Sequence, residues 1–474
     1  MSSRLQVLTE SALRARAMRY GQLMEFRLKD IAQALGATVQ GDALIAGWSV
    51  DSRSIAPGDL FFALRGPNHD GNAYVDEALR KGAAAAVATS VAEVRSARAP
   101  VVLVPDALVA LQTLAKWARD QWGGEVIGVT GSAGKTSTKD ILAAMLAVTM
   151  RVGKTVGNLN NHVGVPLSVL RLPLEAQAAV LELAMNHAGE IRSLCAIARP
   201  RIGVVTNVGH AHIEAFDSIE GVALAKRELI ESLPSDGIAV LNADDPLVAG
   251  FRAVHRGRSI TFGLSEGADV RAENVRYNDR GARFSVGGVE FESPLVGRYN
   301  VLNLLAGIAA AGLFGLQPEQ LTGVVRQLAP SSMRGERSQR DGVLILNDCY
   351  NSNPDAVRAM VDVLRETPAK RRIAVLGEML ELGRWSEDLH REVGRYVAKS
   401  GIDVLVGIRG AAGFLVDAAK ETGQSVGAAI FFPDPEAAGD HLRKIAQPGD
   451  VILFKGSRGT HVERALERFL ARPN

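Results

Sequence analysis

The chain has 474 residues, of which 47% are hydrophobic and 22% charged, a balance that supports a large buried core and excludes a mostly disordered chain. Lys+Arg number 54 and Asp+Glu 52, a net charge of +2, so nothing in the charge points to a nucleic-acid or anionic-membrane surface. Two cysteines exclude a disulfide framework and suit a reducing, cytoplasmic setting.

In chain order, residues 1–23 are Arg-rich and lack the apolar core of a signal peptide; they are expected to be a loose N-terminal extension or a misassigned start ahead of Met24. Residues 24–124 read as a small α/β unit. "LKDIAQALGATV" has helical spacing and stops near Gly36, "DLFFAL" is a strand, "AYVDEALRKGAAAAVA" is a helix, a glycine stop and a strand, and "APVVLVPD" is a further strand. Gly123–Gly124 is the expected linker.

Residues 125–330 read as a larger α/β domain. Short apolar runs ("EVIGVTG", "AAVLELA", "RIGVVTN", "GIAVLN", "SITFG") alternate with helical patterns, which implies a parallel sheet covered on both faces. Residues 268–296 suit an antiparallel meander with glycine turns. The stretch from Tyr299 to Pro318 carries no charge and is long enough to cross a bilayer. Asn300, Asn303 and three glycines dilute it, so a buried core helix is expected and no membrane insertion. Residues 331–474 repeat the alternation with "VLILND", "RRIAVLG", "IDVLVG", "AAIFF" and "DVILFKG", a second doubly wound, Rossmann-like domain. It has no G-x-G-x-x-G turn, which argues against a dehydrogenase.

"GVTGSAGKTSTKD" follows a strand and opens a helix, the context a phosphate-binding loop requires. Backbone N–H groups of Thr130, Gly131, Ser132, Ala133, Gly134 and Ser137 and the helix N-terminus would cradle the phosphates of ATP. Lys135 would meet the β/γ-phosphates and the Thr136 hydroxyl a Mg²⁺ ion. The usual G-x-x-x-x-G-K-[ST] spacing fails, because Val129 stands where its first glycine belongs. Of the 54 basic residues only 12 are lysine, so lysines inside motifs (Lys135, Lys226, Lys455) are less apt to be incidental.

Glu182 ends the strand of "AAVLELA", where a carboxylate faces the ligand crevice and with Thr136 suits a Mg²⁺ site. His210 and His212 in "TNVGHAHIEAF" lie at the same rim; H-x-H alone is a weak metal signal, and a turn histidine is the ordinary reading of His210. Lys226 in "ALAKRELI" lies among apolar residues. It reads by itself as a snorkelling lysine; the other reading is a neutral amine that has added CO₂ to form a carbamate.

The phosphate loop, the strand-end Glu182, N-V-G-x-A-H and A-K-x-E, in this order, resemble the Mur ligases, ATP-dependent amide-forming enzymes of peptidoglycan synthesis. The resemblance runs from about residue 26 to the C-terminus. It implies a three-domain architecture: a UDP-substrate-binding domain (24–124), a central ATP-binding domain (125–330) and a C-terminal Rossmann-like domain (331–474). It also implies Glu182 and His212 as Mg²⁺ ligands and Lys226 as a carbamylated lysine beside them.

Within that family, "GNLNNHVGVPLSVL" with Asn160 and Asn161, "NDCYNSNPDAV" with Asp348, Tyr350 and Asn351, and "FKGSRG" with Lys455, Ser457 and Arg458 are similar to the members that act last in the cytoplasm. The substrates implied are UDP-N-acetylmuramoyl-tripeptide and D-alanyl-D-alanine. "DSRSIAPGDLFFALRG" resembles a uridine-diphosphate-binding start, with Ser52 and Arg53 as phosphate or uracil contacts. "GRYNVLNLLAG" resembles an adenine-side motif; Asn300 and Asn303 match, and Tyr299 departs from its usual histidine. Arg334 matches an arginine that reaches the ATP phosphates, and Asp348 an acid near the ribose. A monomer without nucleic-acid partners is expected. The other readings are a sibling ligase adding the third amino acid, a folylpolyglutamate synthase-like ligase, and a phosphate-loop switch that binds nucleotide without small-molecule co-substrates.

Overall fold

A computed structural model describes residues 23–90, 100–278, 281–423 and 428–471; the expected extension lies outside the described residues except for Leu23, which is buried and bridges to Pro173. The first sheet is parallel, in the order Gly47–Ser49, Asp59–Phe62, Ala85–Ala88, Val101–Leu103. The strands Asp59–Phe62 and Ala85–Ala88 are buried throughout. Gly123–Gly124 is a tight junction rather than a loose tether, since a Cβ on Gly124 would enter the Trp122 ring. Helix Ala107–Gln121 packs on the second sheet's helices, and Arg171 crosses the seam to donate to the Trp48 carbonyl at 2.8 Å.

That second sheet has seven parallel strands in the order Val270–Arg271, Arg258–Gly263, Ile238–Asn242, Ile202–Val205, Glu125–Thr130, Ala178–Glu182, Val152–Lys154. Its central strands are buried on both faces, as the continuous apolar runs require. Helices Lys135–Leu146 and Arg298–Gly312 cover one face, and Glu190–Ala198 and Ile219–Glu231 the other. The uncharged stretch is therefore a core helix, with Val301, Leu304, Leu305 and Ala306 fully buried. Among the described residues no helix is long and apolar enough to cross a membrane. The meander is a three-stranded antiparallel sheet over residues 273–293.

The third sheet runs Glu336–Arg340, Val343–Asp348, Asp450–Lys455, Arg371–Gly377, Val404–Ile408, Ala429–Phe432, all parallel but the first pair. The strands Val152–Lys154 and Glu336–Arg340 have no counterpart in the hydrophobic pattern: one is three residues long, the other "ERSQR".

Helix Ser386–Lys399 lies against Ala412–Glu421, and a Cβ on Gly394 would overlap the Leu415 carbonyl. Backbone cannot yield as a side chain does, so Gly394→Ala should destabilise the C-terminal sheet by about 1–3 kcal/mol. The check is a lower urea midpoint for that transition at an unchanged slope; an unchanged midpoint would show the two helices can separate freely.

Candidate active site

The order of the seven-stranded sheet reverses at Glu125–Thr130, whose neighbours are reached by crossovers in opposite directions. The crevice beyond the carboxyl ends of the strands is where such sheets bind ligands. Here it is a cleft of about 780 Å³ that also receives residues from the C-terminal sheet.

The loop after the central strand enters helix Lys135–Leu146 through Gly134, whose φ is +81°, while Gly131 has φ +150°. Both are confined: a Cβ on Gly131 would strike Thr206, and one on Gly134 would strike Asn303. Thr206 Oγ1 and Asn207 Nδ2 donate to the Ala133 carbonyl (2.6 and 3.0 Å), Asn207 Oδ1 accepts from Ala133 N–H (2.9 Å), and Ser132 N–H donates to Asn207 O (2.9 Å). The phosphate loop is thus stitched to the loop that follows the next strand.

Thr136 Oγ1 donates to Glu182 Oε2 at 2.9 Å, and Asn160 Nδ2 to Glu182 Oε1 at 2.8 Å. Glu182 is 2% exposed, so both oxygens of a buried carboxylate are held by neutral donors. Lys135 Nζ donates to the Gly131 carbonyl at 2.7 Å. Burial pushes its ammonium pKa down, Glu182 opposes this, and Arg334 adds to it. Lys226 is 2% exposed on helix Ile219–Glu231, behind the cleft lining; burial, reinforced by Lys135, holds its pKa well below the ordinary lysine value. It is not a snorkelling surface residue.

His212 has φ +61° and places Nδ1 2.7 Å from Glu381 Oε2. That contact lowers the Glu381 pKa, against the opposing effect of burial. His210 is also taken up: its N–H and Nδ1 lie 2.8 and 2.9 Å from Asp355 Oδ2. Among the described residues no three His, Cys, Asp or Glu side chains converge into a ready-made cage, so a divalent ion at the Thr136–Glu182 corner would draw much of its shell from phosphate and water oxygens. That oxygen-rich corner fits Mg²⁺.

Other expected residues divide. Asn303, Arg334, Asp348, Tyr350, Asn351 and Lys455 line the cleft, as do Asn160 and Asn161. The Arg334 guanidinium lies 3.9 Å over the Tyr350 ring. Asn161 also steadies the start of helix Gly164–Leu170, its Oδ1 accepting from Gly164 N–H at 2.9 Å. Asn300 is buried behind the cleft and donates to the Val296 carbonyl at 2.9 Å; it supports Asn303, which donates to Asn300 Oδ1 at 3.2 Å. Lys455 is buried and donates to Asp348 Oδ2 at 2.5 Å and the Asn351 carbonyl at 3.0 Å. Ser457 is buried outside the cleft, its hydroxyl accepting from Leu380 N–H at 3.0 Å. Arg458 is exposed beside Glu463 at 3.4 Å. Ser52 and Arg53 are remote, in the first unit, where Arg53 pairs with Asp51 at 2.7 Å. Tyr299 borders the cleft, with its hydroxyl buried against the turn at Gly335 and without a hydrogen-bond partner. Asn207, Asp355 and Glu381 were not expected; Asn207 and Asp355 lie inside the segments N-V-G-x-A-H and NDCYNSNPDAV, but nothing in either singles out these side chains, and Glu381 stands in a loop with no motif of its own.

A phosphate loop, a carboxylate–hydroxyl corner and cations reaching in from a second α/β unit define a nucleotide-using enzyme of the ligase class. Residues 44–119, 129–311 and 333–458 match, in turn, the Mur ligase family catalytic domain, the Mur ligase middle domain and the Mur ligase glutamate ligase domain. The chain is 34% identical over 454 residues to the UDP-N-acetylmuramoyl-tripeptide–D-alanyl-D-alanine ligase of Bacillus subtilis strain 168, covering 94% of this chain and 98% of that protein. It is 33% identical to the ligase of the same name from Escherichia coli K12, over the same shares of each chain. The crystal structure of MurF ligase from Thermotoga maritima in complex with ADP superposes with a TM-score of 0.79 at 32% identity, covering 89% of this chain and 96% of that one. A folylpolyglutamate synthase from Mycobacterium tuberculosis, at 16% identity and a TM-score of 0.61, shares the fold alone. The chain belongs to the Mur ligase family, and as such it is an ATP-dependent, ADP-forming ligase.

Lys226 gives a prediction with a definite sign. Its pKa is depressed from 10.5, so below 10.5 the unfolded chain binds a proton the folded one resists, and stability rises with pH across the window from the depressed value to 10.5. Lys226→Met should raise the thermal midpoint at neutral pH and flatten that rise. An unchanged pH profile of stability would mean Lys226 is charged and solvated.

Proposed function

We infer that the chain joins D-alanyl-D-alanine to the tripeptide of UDP-N-acetylmuramoyl-tripeptide with cleavage of ATP to ADP and phosphate. The observation that carries this reading is the contact of Thr136 with the buried Glu182, set beside Lys135 at the mouth of the helix; the names of full-length relatives supply the substrates. The peptide carboxylate attacks the γ-phosphorus, the bond to the ADP oxygen breaks, and an acyl phosphate forms. Lys135 leaves the Gly131 carbonyl and meets the transferring phosphoryl group, and the loop N–H groups hold its neighbours. The dipeptide amine then adds to the acyl carbon, loses its proton, and phosphate departs with the C–O electron pair. Arg334, held flat by Tyr350, adds positive charge from the C-terminal side.

Thr136, Glu182 and His212 would hold Mg²⁺, which when bound neutralises charge on the phosphates. Nδ1 of His212 faces Glu381, leaving the other ring nitrogen for such a role. A carbamate on Lys226 suits the same place: a neutral buried amine can add CO₂, and the product is an anion beside Lys135. Ser52 and Arg53 would contact the uridine diphosphate far from the chemistry. Lys455 would act through Asp348 and Asn351 rather than as a free cation. The whole reaction requires water to be kept from the acyl phosphate, which the meeting of the units around the cleft serves. The chain works in the cytoplasm in this reading, as a monomer.

ADP release should need ATP, the UDP-tripeptide and the dipeptide together, and fall to background when any is omitted. Lys135→Ala should lose turnover by at least on the order of 10²-fold while still binding the UDP-substrate, measured by calorimetry. Release of ADP that ignores the dipeptide would defeat the assignment. The intact mass under ambient CO₂ should include one added CO₂ that Lys226→Met lacks.

A further inference from the structure

The contacts between the central and C-terminal sheets are concentrated on the loop that carries His210 and His212, and one side chain reaches through that loop toward the phosphate loop. Asp355 lies in the first turn of helix Pro354–Glu366, on the C-terminal side of the cleft. Its Oδ2 accepts from both the backbone N–H and, within 2.9 Å, the ring Nδ1 of His210. The same oxygen sits over Gly209 so closely that a Cβ there would overlap it. Gly209 is joined in turn to the phosphate loop: Ser132 Oγ donates to its carbonyl at 3.0 Å and accepts from its N–H at 2.8 Å. Asp355 Oδ1 is steadied by Arg358 Nη1 at 3.2 Å, and Arg358 Nη2 lies 3.0 Å from Glu392. The carboxylate is therefore one residue and two hydrogen bonds from the backbone that cradles the phosphates, and it belongs to the opposite unit.

We propose that Asp355 is a positioning residue for the ligase reaction: its grip on Gly209 and His210 seats Ser132 and the phosphate loop when the C-terminal unit is docked. The inference rests on the function proposed above. Asp355 touches no reacting atom in this role. It supplies the coupling by which docking of one unit sets the phosphate loop of another, and Gly209 lets the carboxylate sit where a Cβ would push it aside. A shift of the loop by a fraction of an ångström is enough to impair an in-line phosphoryl transfer.

The test is steady-state ADP release by the full chain with saturating ATP, UDP-N-acetylmuramoyl-tripeptide and D-alanyl-D-alanine. Asp355→Ala should lower kcat roughly 10- to 100-fold, with KM for the UDP-substrate unchanged and the thermal midpoint within about 2 °C of the parent. Asp355→Asn, which keeps an acceptor oxygen, should recover part of the loss. His210→Ala should cost less than Asp355→Ala, since the backbone N–H remains, and the double variant should be no slower than Asp355→Ala alone. Gly209→Ala should reproduce the Asp355→Ala loss with both partners intact. Unaltered kcat in Asp355→Ala, a double variant whose losses multiply, or a fall in thermal midpoint with full kcat in the folded fraction each overturns the proposal. An unmodified chain that shows no dipeptide-dependent turnover overturns instead the function on which it rests.

Discussion

The constraint on which the site depends is the burial of Glu182. A carboxylate 2% exposed at a strand end is tolerable only if its oxygens are hydrogen-bonded, and here one is held by Thr136 of the phosphate loop and the other by Asn160 of the next loop. These bonds fix three segments relative to one another: the strand, the helix that opens at Lys135, and the loop 155–161. Glu182 N–H donates to Thr155 Oγ1 at 3.0 Å, and buried Lys139 donates to the Thr155 carbonyl at 2.9 Å, so that loop is tied at its base as well. A geometry fixed by the protein's own hydrogen bonds is what electrostatic stabilisation of a transferring phosphoryl group requires.

A second level of order comes from how charge is distributed across the cleft. Cations on the two sides are each moored to the protein: Lys135 to Gly131 O, Arg334 to the Tyr350 ring, Lys455 to Asp348. Arg334, pinned in this way, has little freedom to lose on meeting phosphate, whereas Lys135 would exchange its mooring for the phosphoryl group. Lys226 is the exception. It is buried near another lysine, a placement that favours the neutral amine and is hard to explain as packing alone, since a methionine would fill the same space without the desolvation penalty.

What the sequence made legible followed the strength of the physical signal. Strands buried on both faces announced themselves as apolar runs, and the phosphate loop was readable because glycines, a lysine and a threonine at fixed spacing have few other uses. The polar edge strand Glu336–Arg340 and the three-residue Val152–Lys154 were invisible, since their pairing is imposed by neighbours. Among site residues, the distinction between Asn303 in the cleft and Asn300 behind it depends on helical phase measured against an unknown partner. Asp355 and Glu381 are recruited across a unit boundary, and no local pattern encodes a contact with His210 or His212 some 145 and 169 positions away in sequence. The resemblance to the family placed Ser457 and Arg458 near a substrate; the fold gives Ser457 a buried backbone contact and leaves Arg458 on the surface.

The strand Glu336–Arg340, the outermost of the C-terminal sheet, reads E-R-S-Q-R and is exposed or half-exposed at every position. An open sheet rim is a template on which a foreign strand can add. Here a would-be partner meets ionised and strongly hydrated side chains on both faces, and Arg340 is further anchored to the backbone of the C-terminal helix at Phe469. The rim is in effect passivated, so the C-terminal sheet can end in solvent without inviting aggregation along its open side.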